Sequence, residues 1–116
     1  MIAHVVMFRP RGDLTSAAQR TLAAAFEAAL SGIPVIRRAR VGRRVTTGRS
    51  YESLMRSDYP FAVVLEFDDR LALAAYLDHP AHAELARQFF DAFEDALIYD
   101  FDLSEGTAGL AGLLPQ

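Results

Sequence analysis

Residues 2–9 read IAHVVMFR, and as a strand they would be apolar on both faces: Ile2, His4, Val6 and Phe8 on one side, Ala3, Val5, Met7 and Arg9 on the other. Residues 61–67 repeat the pattern, with Phe61, Val63, Leu65 and Phe67 alternating with Ala62, Val64 and Glu66 before Asp68-Asp69 ends the run. Neither strand can leave one side in water without exposing a large apolar surface. A fold that accommodates both must cover its sheet twice.

The rest of the chain supplies cover for one side only. Asp13 or Thr15 can cap a helix to about Leu30, in which Leu14, Ala18, Leu22, Ala25, Phe26, Ala29 and Leu30 make one apolar stripe and Ser31-Gly32-Ile33-Pro34 the stop. A strand from Val35 to Val45 carries exposed arginines, and Gly42 marks a candidate bulge. Residues 46–58 form a polar connector, long enough for a lid or a partner contact. Asp69 caps a short helix that is interrupted at His79-Pro80, where proline opens a second helix running to about Ala96 with Leu85, Phe89, Ala92, Phe93 and Ala96 buried. Leu97, Tyr99, Phe101 and Leu103 then alternate with Ile98, Asp100 and Asp102 in a last strand. The order β-α-β-β-α-β predicts an α+β, ferredoxin-like fold: a four-stranded antiparallel sheet with its helices on one face. The uncovered face predicts a homodimer, two such sheets packed about a twofold axis.

Composition fits one domain. At 116 residues, 12.8 kDa and 52% hydrophobic content, the chain has material for a single modest core. It has no cysteine, which removes disulfides and thiolate chemistry, and no lysine, which removes Schiff-base chemistry. There is no apolar run long enough for a membrane span and no leader-like start, so the expected location is cytoplasmic, with no membrane partner. Ten arginines lie in residues 1–58 and eleven acids in residues 59–116, so the halves are electrostatically complementary. Six of those arginines fall between Arg37 and Arg49. With no aromatic residue before Tyr51 to stack on a base, and an acidic second half, the arginines read as a solvated, salt-bridged strand and loop, and no nucleic-acid partner is expected.

The chemistry-bearing residues gather at Tyr76-Leu77-Asp78-His79-Pro80-Ala81-His82, with the third histidine, His4, inside the first strand. A neutral imidazole is available near pH 7 to take a proton from a carbon flanked by carbonyls, and a phenol can orient it or donate to a developing enolate. Each residue also has a plainer reading. His79 before Pro80 starts a helix, His4 can be a satisfied core histidine, Tyr76 an amphipathic core residue, and the phenylalanines core. His79 and His82 have a three-residue spacing, but without an HExxH pattern no metal site is expected. No GxGxxG, P-loop or GxSxG pattern is present.

The segments IAHVVMFR, IPVIRRARVGRRV, YPFAVVLEFDD, LAAYLDHPAH and YDFDL occur in the order that resembles the stress-responsive dimeric α/β-barrel, or Dabb, family, over residues 1–103. The resemblance implies paired sheets that form a dimeric α+β barrel, and it extends to the plant polyketide cyclases of the olivetolic acid cyclase type, which close a poly-β-ketone by an intramolecular aldol step without a cofactor. It implies His82 as general base, Tyr76 as its orienter or oxyanion donor, and His4 as the first-strand histidine. It places Val6, Phe8, Phe26, Leu85, Phe89 and Phe93 as walls of a pocket for a small apolar or aromatic molecule. Phe26 stands where those cyclases have a pocket tyrosine, so one hydroxyl is missing. Two readings follow: a cofactor-independent acid/base enzyme of cyclase, lyase or isomerase type, or a non-catalytic ligand-binding or stress-response dimer. An interaction module using the Arg37–Arg49 strand or the connector is a third. The tail, residues 104–116, lies beyond the resemblance, and its Leu110, Leu113 and Leu114 suit either packing across the dimer or a groove, or disorder.

Overall fold

The computed structural model describes residues 1–115. Strands β1 (Ile2–Pro10), β2 (Arg38–Arg43), β3 (Phe61–Phe67) and β4 (Phe93–Asp102) form one antiparallel sheet in the order β2-β3-β1-β4. Helix α1 (Ser16–Gly32) connects β1 to β2, while α2 (Arg70–Leu77) and α3 (Pro80–Ala92) connect β3 to β4. The molecule measures 49 × 39 × 21 Å. Its short dimension has room for two layers, one of sheet and one of helices.

Strand pairing fixes the two faces. In one set of rows Ala39, Leu65, His4 and Asp100 lie side by side, followed by Val41, Val63, Val6 and Ile98. This is the helix side. Leu65 and Phe67 are fully buried there, packed with Ala29, Ile33, Leu85 and Phe89. The opposite rows run Arg38, Glu66, Ala3 and Phe101, then Arg40, Val64, Val5 and Tyr99, then Gly42, Ala62, Met7 and Leu97. Among the described residues no α-helix covers them; Tyr51 and Met55 of the connector border a groove over Met7, Ala62 and Val64, while Tyr99 and Phe101 are about half exposed at 52% and 49%.

Local signals set most boundaries. Thr15, not Asp13, caps α1, its hydroxyl accepting from the Ala18 N–H at 3.1 Å, while Asp13 pairs with Arg11. Asp69 accepts from the Ala72 N–H at 2.8 Å and starts α2 as expected. Three expectations are corrected. The second long helix ends at Ala92, so Phe93 and Ala96 belong to β4, where they pair with Pro10 and Phe8. A three-and-four spacing of apolar residues continues through this junction, but the ladder to β1 satisfies the backbone and ends the helix. Strand β2 is shorter than the predicted 35–45, and its register passes Gly42 without a bulge. The sheet's irregularity falls instead between Arg9 and Pro10, where proline has no N–H to give.

The connector is ordered by its own side chains. Glu52, in a short 3-10 turn at Ser50–Leu54, accepts from the N–H groups of Thr47 and Gly48 at 3.0 and 2.6 Å. Gly48 has φ +72°, a left-handed value that glycine adopts without a Cβ clash. Arg44 pairs with Asp58 at 2.7 Å, and Arg9 donates to the Asp58 carbonyl at 2.8 Å. No helix among the described residues is long and apolar enough to cross a membrane.

Candidate functional site

The site is built where α2 and α3 meet the β1 end of the helix face. Pro80 pre-sets the first turn of α3, and His79 caps it, Nδ1 accepting from the Ala81 N–H at 3.0 Å. That side chain is occupied with starting the helix. One turn on, His82 is aimed back over the sheet. The preceding helix, α2, buries Tyr76 at 3% exposure, and β1 contributes His4 at 5%.

The Tyr76 ring stands between the two imidazoles. Its centroid lies 4.7 Å from that of His82 and 5.7 Å from that of His4, both edge-on, with Phe67 behind it at 5.3 Å. Among the described residues the phenol has no hydrogen-bond partner, and it is not sealed from the cavity. Burial, reinforced by the negative charge of Asp100, pushes its pKa up to about 12. At neutral pH it is therefore a hydrogen-bond donor.

His82 is held below its ordinary 6.5, first by burial and then by the nearness of His4, with the Leu77 backbone carbonyl pulling weakly the other way. It is a neutral acceptor at pH 7. His4 is oriented by a group that the sequence did not single out: its Nδ1 lies 2.6 Å from Oδ1 of Asp100, the residue beside it in the sheet. The carboxylate can only accept, so His4 carries a proton on Nδ1 and leaves Nε2 free. The sequence signal for Asp100 was its parity in β4, but its pairing with His4 is a register fact.

All three side chains line one cavity of about 170 Å³, whose walls include Val6, Phe26, Leu85 and Phe89. Leu77, Phe90 and Ile98 form its more exposed rim. Phe8 and Phe93 are not on it. Their rings stack with centroids 4.4 Å apart, and with Phe26 they face a separate groove between α1 and the β2 side of the sheet. Aromatic packing around Phe8 thus places both on that groove, whereas the expectation had put them on the chamber with His82. Phe26 reaches both spaces. The arrangement offers a neutral base, a carboxylate-oriented imidazole and a protonated phenol converging on a small apolar chamber.

Among solved structures, a Dabb family protein with a ferredoxin-like fold from Mesorhizobium loti has a TM-score of 0.71 at 24% identity, covering 89% of this chain and 96% of its own. A dimeric ferredoxin-like protein of unknown function from Thermobifida fusca has a TM-score of 0.68 at 24% identity, covering 88% and 90%. A hydroxynitrile lyase from Passiflora edulis has a TM-score of 0.74 at 18% identity, covering 90% and 94%. No curated protein matches the sequence. The model of the stress responsive A/B barrel domain matches residues 2–103, and with most of its length so matched the chain belongs to the Dabb family.

Proposed function

We propose that the chamber binds a small apolar or aromatic carbonyl compound and moves a proton on it, with the chemistry supplied by the side chains themselves. The observation that carries this reading is the Tyr76 ring held between His82 and His4 on a cavity of about 170 Å³. His82 takes a proton from the carbon next to the carbonyl, and the electrons of the broken C–H bond pass to the carbonyl oxygen. Tyr76 donates a hydrogen bond to the resulting enolate, where an oriented donor in a water-poor site is most effective. His4, fixed by Asp100, assists as a second oriented group. The enolate carbon then attacks a second carbonyl, whose π electrons pass to its oxygen and take up the proton held by His82, as in an aldol closure of cyclase type, or the carbon is reprotonated by His82. The family, and the presence of a lyase among proteins of the same fold, support this class of reaction. The domain that performs it is residues 1–103, and the partner is a second copy covering the open sheet face, in keeping with dimeric proteins of the same fold.

Two assays test the reading: deuterium uptake from solvent into the methyl group of acetophenone, followed by NMR, and turnover of a small library of β-polyketones. Loss of a general base lowers such rates by roughly two to four orders of magnitude. His82→Ala is expected to fall in that range. Equal rates in wild type and variant would remove His82 as the base. Binding of acetophenone without exchange would favour the ligand-binding alternative.

A further inference from the structure

The helix face of the sheet is covered unevenly. Helix α1 packs beside α3 and leaves the β2 edge open: in one row Val63 and Val6 are buried while Val41 is 59% exposed. The gap is a groove of about 710 Å³, floored by Val41, Phe61 and Phe8 and walled by Leu22 and Phe26. A volume of this order is ordinary for a small-molecule site, and it is several times that of the chamber at about 170 Å³. Phe26 and Leu30 border both spaces and stand between them.

One cation stands in this apolar groove. The next row of the sheet, Arg43, Phe61, Phe8 and Ala96, puts Arg43 on the helix side, and its guanidinium lies 4.8 Å from the centroid of the Phe61 ring. Its neighbours Arg37, Arg40 and Arg44 hold Asp68, Glu66 and Asp58, whereas among the described residues Arg43 has no ion-pair partner. We propose that the groove is a second binding site, separate from the chamber, for a small carboxylate with an alkyl or aryl body: the carboxylate pairs with Arg43 and the body lies on the apolar floor. A guanidinium offers parallel N–H donors that match the two oxygens of a carboxylate, and resting on a ring holds it ready for them. The body gains by leaving water for a floor of aromatic and aliphatic side chains. A single negative charge is what the groove accepts, since Glu27 also lines it and opposes a second one. This site is independent of the chemistry assigned to the chamber.

Octanoate and octanol, which share an apolar body and differ in charge, test the site by isothermal titration calorimetry at low ionic strength. Octanoate is expected to bind saturably and more tightly than octanol. Arg43→Gln should weaken octanoate about tenfold or more and leave octanol unchanged, the loss of a charge-assisted pair. Val41→Asp, at an exposed position of the floor, should weaken both ligands. In NMR spectra of the wild type, octanoate should shift the Val41 and Phe61 amide signals most. An octanoate affinity equal in wild type and Arg43→Gln overturns the proposal, as does one unchanged by Val41→Asp. Absence of saturable octanoate binding up to about 10 mM overturns it too, since even an inefficient ligand of this size binds by then. If the largest shifts fall instead on the ring protons of His82, the carboxylate enters the chamber and there is no second site. That mapping needs no variant, so it decides even where a substituted chain folds poorly.

Discussion

Burial acts on Tyr76 and His82 in opposite directions. The same apolar surroundings that raise the phenol to about 12 and keep it a donor lower the imidazole and keep it an acceptor. Because burial is the larger cause for His82 and His4 the smaller, His4→Asn should raise the His82 pKa only part of the way towards 6.5. An NMR titration of the ring Cε1–H measures this, and a variant pKa unchanged from wild type would show that the two imidazoles do not sense each other. The sign for stability follows from linkage. Between the folded pKa and 6.5 the unfolded chain binds the proton more readily, so His82 makes the fold less stable as pH falls through that window and contributes no pH dependence above it. Asp100 acts on His4 by fixing its tautomer. Asp100→Asn, which preserves shape but can donate to Nδ1, is expected to lower proton-transfer rates by about a hundredfold or more while leaving acetophenone affinity close to wild type. Equal losses in affinity and rate would mark Asp100 as structural only.

At the scale of the elements, capping decided what periodicity left open. Two candidate caps stood before α1, and the structure gives the task to Thr15 while Asp13 turns to Arg11. Thr15→Ala should cost about 1 kcal/mol in urea denaturation. Asp13→Ala should leave the midpoint unchanged, since an exposed pair contributes little. A larger loss from Asp13 would reverse the assignment. The starts of α2 and α3 were legible because each is written in a few adjacent residues, Asp69 and His79-Pro80, while α1 was narrowed to Asp13 or Thr15. The end of α3 was not. Leu85, Phe89, Ala92, Phe93 and Ala96 satisfy a helical spacing, and only pairing with β1 tells the chain to become a strand at Phe93.

At the scale of the whole molecule, the two-sided strands remain the governing fact. The helix side is closed by α1 and α3, and the open side holds Val5, Val64, Tyr99 and Phe101 beside two arginines. The tail takes little part in this organisation: Leu110, Leu113 and Leu114 are exposed, while Leu103 is tied back by its N–H to the Met1 carbonyl at 2.8 Å. A chain ending at Leu103 should therefore keep its thermal midpoint within a few degrees and its His82 titration unaltered. A chain that unfolds without the tail would show that residues 104–116 belong to the domain.

The sequence by itself determined the element order, the starts of α2 and α3, and the need for cover on both sheet faces. These properties are written in spacing along the chain, which local sterics and hydrophobic burial translate directly. Only the tertiary structure decided that Asp100 is the partner of His4, that Phe8 and Phe93 face a separate groove rather than the chamber, and that the arginine and aromatic flanks share the open face. Each of these depends on the register between segments as much as 96 residues apart. A shift of one residue in that register moves every side chain of a strand to the other face. No local pattern carries that information; it is set by packing the whole sheet at once.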